Sequence, residues 1–280
     1  KSRNAVSVRV LQHSGVAASR QWLQRFGLDA ARQPDNLTLA LGTGSVTPLQ
    51  MAQAYGVIAN GGWRINPVVI ERITDAQGQV VFEAPKPALA EEARAIPARN
   101  AWLTASLLNE VTRSGTAARA QAGLKRSDLY GKTGTTDDAV DAWFAGFQPS
   151  LVAVAWMGYD EPRSLGERES GGGLALPIWI DFMSTALKGV PQATLAPPDG
   201  LIRHGDDWLY DEGAVQGHVQ RIGADGFVRL HTNFKHHRDN VCKVLNCAAE
   251  REKVQAALLG WNGEAFETTA YAGGCVVSFM

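Results

Sequence analysis

"LYGKTGTTDDAVDAWFAGF", residues 129–147, holds a lysine, hydroxyls around one glycine, an acidic turn and a stretch ending in aromatics. Its first part, residues 129–135, reads as a strand, and alternation then puts Lys132 and Gly134 on one face and Thr133 and Thr135 on the other. Gly134 lacks a Cβ, so a substrate or a neighbouring backbone can lie against the strand. A lysine ammonium there supplies positive charge, and it can take part in proton transfer if its pKa is lowered. The hydroxyls can hold a carboxylate, and a backbone N–H beyond the glycine can face a developing oxyanion. Acyl transfer uses such parts, and so does phosphate binding.

A phosphate loop needs G-x-x-x-x-G-K-[ST] leading into a helix. Gly131-Lys132-Thr133 supplies the ending, but Arg126 stands where the first glycine belongs, and "GTTDDAVDAWF" is poor helix material. Gly42-Thr43-Gly44-Ser45 lacks the third glycine and the preceding strand of a dinucleotide fingerprint, and Thr47-Pro48 explains it as a turn before a helix. Both nucleotide readings are set aside.

The whole sequence sets wider bounds. A chain of 280 residues, 45% apolar with 8 Trp, 9 Phe and 5 Tyr, holds one large domain or a medium one with an appendage. A net charge of −1 with both signs interspersed gives no footprint for nucleic acid. No apolar run approaches the roughly 18 residues of a membrane span. The chain begins at Lys1 with no signal peptide, so it reads as a piece of something longer. Cys242, Cys247 and Cys275 leave the first 241 residues free of thiols, which suits an oxidising compartment.

Elements can be placed around the opening stretch. Residues 5–11, "AVSVRVL", fit a strand or a helix, and Gly15 opens a helix through Trp22, Leu23 and Phe26 that Gly27 ends. Thr47 and Pro48 start another helix, with Met51, Tyr55 and Ile58 on one face and Asn60-Gly61-Gly62 as the stop. "NPVVIERITDAQGQVVFEA" reads as a hairpin turning at residues 75–78. Pro97 starts a helix with Leu103, Leu107 and Val111 as its stripe. Residues 142–147 and 151–157 follow as antiparallel strands. After Gly171–Gly173 comes a helix with Leu176, Ile180, Met183 and Leu187 inward, covering one face of the sheet. Residues 201–231 read as short strands, and a further helix is expected over 248–259.

K-T-G is one of three motifs of serine acyl-transfer sites of the penicillin-binding kind, with S-x-x-K and S-x-N before it. Ser2-Arg3-Asn4 stands ahead of K-T-G in the right order. "SRNAVSVRVLQHSGVAASRQWLQRFGL", "LALGTGSVTPLQMAQAYGVIANGGW", "KTGTTDDAVDAWFAGFQPSLVAVAWMGYD" and "GGGLALPIWIDFMSTALKG" together resemble the transpeptidase domain of class A penicillin-binding proteins, of the 1A type. The resemblance runs from Lys1 to about residue 188 and loosely to 222; residues 232–280 show none.

It implies an α+β fold, a truncated penicillin-binding/serine β-lactamase-like transpeptidase domain with an antiparallel sheet and flanking helices. Residues 1–190 would be the C-terminal part of that domain, 191–200 a Pro-rich linker and 201–280 an extension of unknown function. By position, Ser2 relays a proton to the departing amine, Asn4 holds the acyl-donor peptide and Lys132 supports the relay. Thr133 and Thr135, with Gly134 between them, bind the terminal carboxylate of a D-Ala-D-Ala stem peptide or of a β-lactam, and the Thr135 N–H forms half of the oxyanion hole. Asp141, Trp143 and Gly146 match positions expected to be structural.

No S-x-x-K occurs in this sequence. The resemblance places that nucleophile upstream of Lys1, with a glycosyltransferase domain and a membrane anchor further upstream and this domain in the periplasm. The chain alone is then expected not to acylate and to be poorly stable. Partners are peptidoglycan stem peptides and β-lactams, with no nucleic acid, metal or organic cofactor implied. The alternatives are a D,D-carboxypeptidase, a serine β-lactamase, or a non-catalytic domain that binds cell-wall peptide.

Other residues are given plain readings. His231, His236, His237, Cys242 and Cys247 suggest zinc only loosely, because C-x₄-C is wide and no second pair follows; a solvated tail with a disulfide-capable or free cysteine pair is expected instead. His13 is expected at the surface or in packing, and Trp156 in the core.

Overall fold

The computed structural model describes residues 3–87, 89, 91, 94–204, 207–211, 219–223, 226–230 and 235–279. Its contacts divide the chain into two units, residues 1–198 and 199–280. Ser2 and His231 lie outside the described residues.

The first unit starts with two helices, α1 (Asn4–Ser14) and α2 (Val16–Leu23). The ambiguous stretch 5–11 is therefore helical. Its alternating valines meet no partner strand, and a helix satisfies the backbone groups within the segment itself. Val6 and Val10 stay 57% and 61% exposed, and only Leu11 of α1 is buried. A 3-10 turn extends α2 to Phe26, and Gly27, at φ 86°, ends it in the left-handed conformation that glycine favours.

Helix α3 (Pro48–Ala59) begins in a reciprocal cap: the Gln50 N–H donates to Thr47 Oγ1 at 3.2 Å, and the Thr47 N–H to Gln50 Oε1 at 2.9 Å. Its fully buried residues are Ala54, Val57 and Ala59; Met51, Tyr55 and Ile58, expected to face the core, are half-buried. The expected hairpin is present as β1 (Arg72–Thr74) and β2 (Val80–Glu83), with the Asp75 carboxylate accepting from the N–H groups of Gln77 and Gln79 in the turn. Every residue of both strands is exposed.

Helix α4 (Ala98–Arg113) departs from the expected stripe. Leu107 is 70% exposed, and the buried face is Ala101, Ala105 and Thr112. Small side chains let this helix lie close to the first strand of the sheet, and polar groups fix its rotation. Thr112 Oγ1 donates to the Leu129 carbonyl at 2.6 Å, and Asn109 Nδ2 to the carbonyls of Leu129 and Ser127 at 2.8 Å each.

After the short helix α5 (Ala118–Leu124) comes the sheet, β3 (Tyr130–Thr135), β4 (Ala142–Gln148) and β5 (Leu151–Met157), antiparallel throughout in the order β3-β4-β5. The β4–β5 turn is tight because Gln148 Oε1 accepts from the Ser150 N–H at 2.8 Å and its hydroxyl at 2.6 Å. Helix α6 (Leu176–Ala186) covers one face, with Leu176, Trp179, Met183 and Leu187 buried against Leu129, Phe144 and Ala155. Trp179 meets Phe144 edge-on at 4.9 Å between ring centroids and donates from Nε1 to the Ala153 carbonyl at 3.0 Å. Gly146 is required here, since a Cβ would come within 2.6 Å of the Tyr130 carbonyl and 2.9 Å of the Phe144 ring. Helices on an antiparallel sheet make this unit α+β.

Residues 190–195 are tied to the start of β3. Arg126 donates to the carbonyls of Val190 and Pro191, the Ala193 N–H donates to Asp128, and Trp102 Nε1 donates to the Leu195 carbonyl.

In the second unit, the hairpin β6 (Leu201–His204) and β7 (Asp207–Tyr210) precedes a three-stranded antiparallel sheet of β8 (Val219–Ile222), β9 (Gly226–Leu230) and β10 (Val277–Phe279). Helices α7 (Lys235–Leu245), α8 (Arg251–Leu258) and α9 (Gly263–Ala272) complete it. Ile222, Val228, Val241, Leu258, Phe266 and Val277 share one core. The region expected to be a solvated tail is thus folded. Its apolar residues recur at helical spacing, as in Val241 with Leu245 and Val254 with Leu258, and each pair lands on that core. Among the described residues, no helix is long and apolar enough to cross a membrane.

Candidate active site

Lys132, Thr133, Gly134 and Thr135 stand on β3, an edge strand of the sheet, opposite Ala145, Phe144, Trp143 and Ala142 of β4. The strand is held from its base. Asp128, buried just before β3, takes two hydrogen bonds from Arg126 at 2.9 and 2.8 Å, one from Gln148 Nε2 at 3.0 Å and one from the Ala193 N–H at 3.0 Å. Burial pushes this carboxyl up, but the hydrogen bonds outweigh it and hold the group below the usual carboxylate range.

The Lys132 side chain is half-buried, and its Nζ curls back to the next residue, donating to the Thr133 carbonyl at 2.8 Å and lying 3.4 Å from Thr133 Oγ1. Desolvation pushes its pKa below the ordinary lysine value. Among the described residues no carboxylate pairs with it. An amine whose pKa is lowered can take part in proton transfer.

Hydroxyls gather beside it. Thr133 Oγ1 and Thr116 Oγ1 share a hydrogen bond of 3.0 Å. Thr135 Oγ1 accepts from the Gly171 N–H at 3.0 Å, and Ser170 Oγ accepts from the Gly173 N–H at 3.1 Å. The glycine run lies directly on the strands, for a Cβ on Gly171 would come within 2.3 Å of the Gly134 carbonyl and 2.4 Å of the Trp143 carbonyl. The backbone expected to approach β3 near Gly134 is therefore this loop. Thr116, just past the end of α4, is a member of the cluster that sequence reasoning missed. Nothing in its local pattern beyond a helix stop at Ser114-Gly115 marks it.

Of the other half of the expected site, only Asn4 falls within the described residues. Asn4 is exposed at the first position of α1, a helix that packs on α2 and on the 3-10 turn Leu37–Leu41. No hydrogen bond links it to Lys132, Thr133 or Thr135. Asp141 and Trp143 act structurally: the Asp141 carboxylate accepts from Trp156 Nε1 at 2.7 Å, and the Trp143 and Trp156 rings are 6.0 Å apart. That contact holds Trp156 at the surface, 39% exposed rather than in the core as expected. His13 is exposed. Among the described residues no group of three or more His, Cys, Asp or Glu is placed to hold a metal ion.

Lys-Thr-Gly on the edge strand of an antiparallel sheet fits the motif that penicillin-binding proteins share with class A β-lactamases. The chain belongs to the family described as the penicillin binding protein transpeptidase domain, which it matches over residues 1–183. It is 42% identical over 215 residues to penicillin-binding protein 1A of Neisseria lactamica, a match covering 76% of this chain and 27% of that protein. It is 40% identical over 263 residues to penicillin-binding protein 1A of Pseudomonas aeruginosa, covering 78% of this chain and 32% of the relative. The chain thus spans about a third or less of these relatives' length. Among solved structures it is similar to penicillin-binding protein 1A from Haemophilus influenzae, with a TM-score of 0.68, 33% identity and coverage of 75% of this chain and 38% of that one. PonA1 of Mycobacterium tuberculosis, solved in complex with penicillin V, gives a TM-score of 0.55 at 26% identity, covering 68% of this chain and 55% of that one.

Proposed function

We propose that this chain supplies the carboxylate-binding and proton-transfer side of a serine-type D-Ala-D-Ala transpeptidase that cross-links peptidoglycan stem peptides. The observation that carries the reading is the half-buried Lys132 amine, held below its ordinary pKa beside the hydroxyls of Thr133 and Thr116. Lys132 supports proton relay through Ser2 to the departing amine. Thr133 and Thr135 hold the terminal carboxylate, Gly134 leaves room for it, and the Thr135 N–H faces the oxyanion. Asn4 holds the donor peptide.

The serine nucleophile and its lysine belong to residues outside this sequence, which contains no S-x-x-K. The whole protein is then a bifunctional glycosyltransferase and transpeptidase, anchored in the inner membrane with this domain in the periplasm. Its transpeptidase site takes β-lactams, and this chain alone does not acylate. Likeness to 1A-type relatives over three quarters of the chain favours this over a carboxypeptidase or β-lactamase. The lack of S-x-x-K favours a non-catalytic peptide-binding domain only if the complete gene lacks that motif too. In the whole protein, Lys132→Ala should cut labelling by a fluorescent penicillin about a hundredfold or more, with glycan polymerisation unchanged. Unaltered labelling would refute the role.

A further inference from the structure

Helix α7 of the second unit ends in a cap that brings two cysteines together. Asn246, at φ 49°, takes the left-handed conformation just past the helix. The Cys247 N–H then donates to the Cys242 carbonyl at 3.1 Å, and the Asn246 N–H to the Lys243 carbonyl at 3.2 Å. These are the two bonds of a Schellman cap, whose geometry sets the side chains of the third-from-last helical residue and the second residue beyond the helix against each other. Here both are cysteines. Burial, with Cys242 adding to it, pushes the Cys247 thiol up. Cys242 and Cys247 are half-buried, whereas Cys275 lies at 3% exposure within the core.

We propose that Cys242 and Cys247 form a redox modification site, an exchangeable disulfide that staples the end of α7. The reductant is the cysteine pair and the oxidant is a disulfide-bearing partner. One cysteine thiolate attacks a partner sulfur, forming a mixed disulfide and expelling one partner thiolate. The second cysteine then attacks the first, closing the Cys242–Cys247 bond and releasing the other partner sulfur. Two electrons and the two thiol protons end on the partner, which leaves as two thiols. The pair is half-buried rather than sealed in the core, so the bond stays open to exchange and belongs with the labile kind rather than with permanent cross-links. Cys275 is too buried to meet the partner and keeps its thiol. None of this depends on the function proposed for the first unit.

The test uses the whole 280-residue chain, folded, equilibrated with glutathione disulfide and then alkylated. Trypsin cuts after Arg238, Lys243, Arg251 and Lys253, which puts the three cysteines on separate peptides, 239–243, 244–251 and 254–280. The expected product is 239–243 linked to 244–251, reversed by dithiothreitol, with 254–280 alkylated once. Cys275→Ser should keep the link and Cys242→Ser should lose it; if either variant fails to fold, the wild-type map decides alone. Three alkylated cysteines, a lasting glutathione adduct without the link, or a link to 254–280 would each overturn the proposal.

Discussion

Lys132 and Asn4, proposed to serve one cleft, stand on very different supports. Lys132 projects from a strand whose base is fixed by Asp128 and whose sheet is covered by α6, with Trp179, Phe144 and Leu176 fully buried beneath it. Asn4 opens a helix that buries one leucine and leaves Val6 and Val10 in water. One half of the proposed site is therefore preorganised by a packed core, while the other rests on a helix that buries little against α2 and the Leu37–Leu41 turn. Mutations should show this contrast as a steep gradient in energetic cost.

The largest effect is expected at Trp179. Trp179→Ala removes the edge-on contact with Phe144 and the bond to the Ala153 carbonyl, and should cost about 3–5 kcal/mol in a denaturant titration of the first unit. A cost near that of a surface substitution would show that the sheet is not the rigid half.

Next comes Asp128→Ala, expected to cost about 3 kcal/mol at neutral pH by leaving Arg126 and Gln148 without their acceptor. The folded carboxyl lies below its unfolded value, so its contribution is complete above about pH 4 and fades as pH falls from there through the folded pKa. The gap between wild type and variant should therefore narrow on acidification below about pH 4. A gap that widened instead would mean that Asp128 is not held as a carboxylate.

Gly146→Ala sharpens the comparison at finer scale. Its new methyl has no room between the Tyr130 carbonyl and the Phe144 ring, and the loss should be about 1–3 kcal/mol by thermal melting. The smallest effect belongs to α1: Val10→Ser, on its exposed side, should change stability by no more than about 0.5 kcal/mol. A larger loss would reveal a partner surface over α1.

What could be read beforehand follows the same division. Strands β3 to β5 were legible because alternation, a lone glycine and short turns all agree, and residues 151–157 are a strand at both ends as expected. Helix faces were less so. Large apolar residues draw the eye, yet α4 turns Ala101 and Ala105 inward and leaves Leu107 in water, since approach to β3 needs small side chains and the Thr112 hydroxyl decides the rotation. Trp156 misled in the same way, because its indole N–H finds Asp141 at the surface. Within the site, Lys-Thr-Gly was visible as a string, whereas Thr116 reaches Thr133 only through the return of the chain after α4 and leaves no local trace. In the second unit the short strands within 201–230 and the helix within 248–259 were legible, whereas the helices at 235–245 and 263–272 were not, because their apolar residues gain meaning only from a shared core.

The bonds binding residues 190–195 to the base of β3 make that stretch a belt buckled at Asp128. A pull on residues 190–195 would be met at the buckle, ahead of Lys132 in the chain.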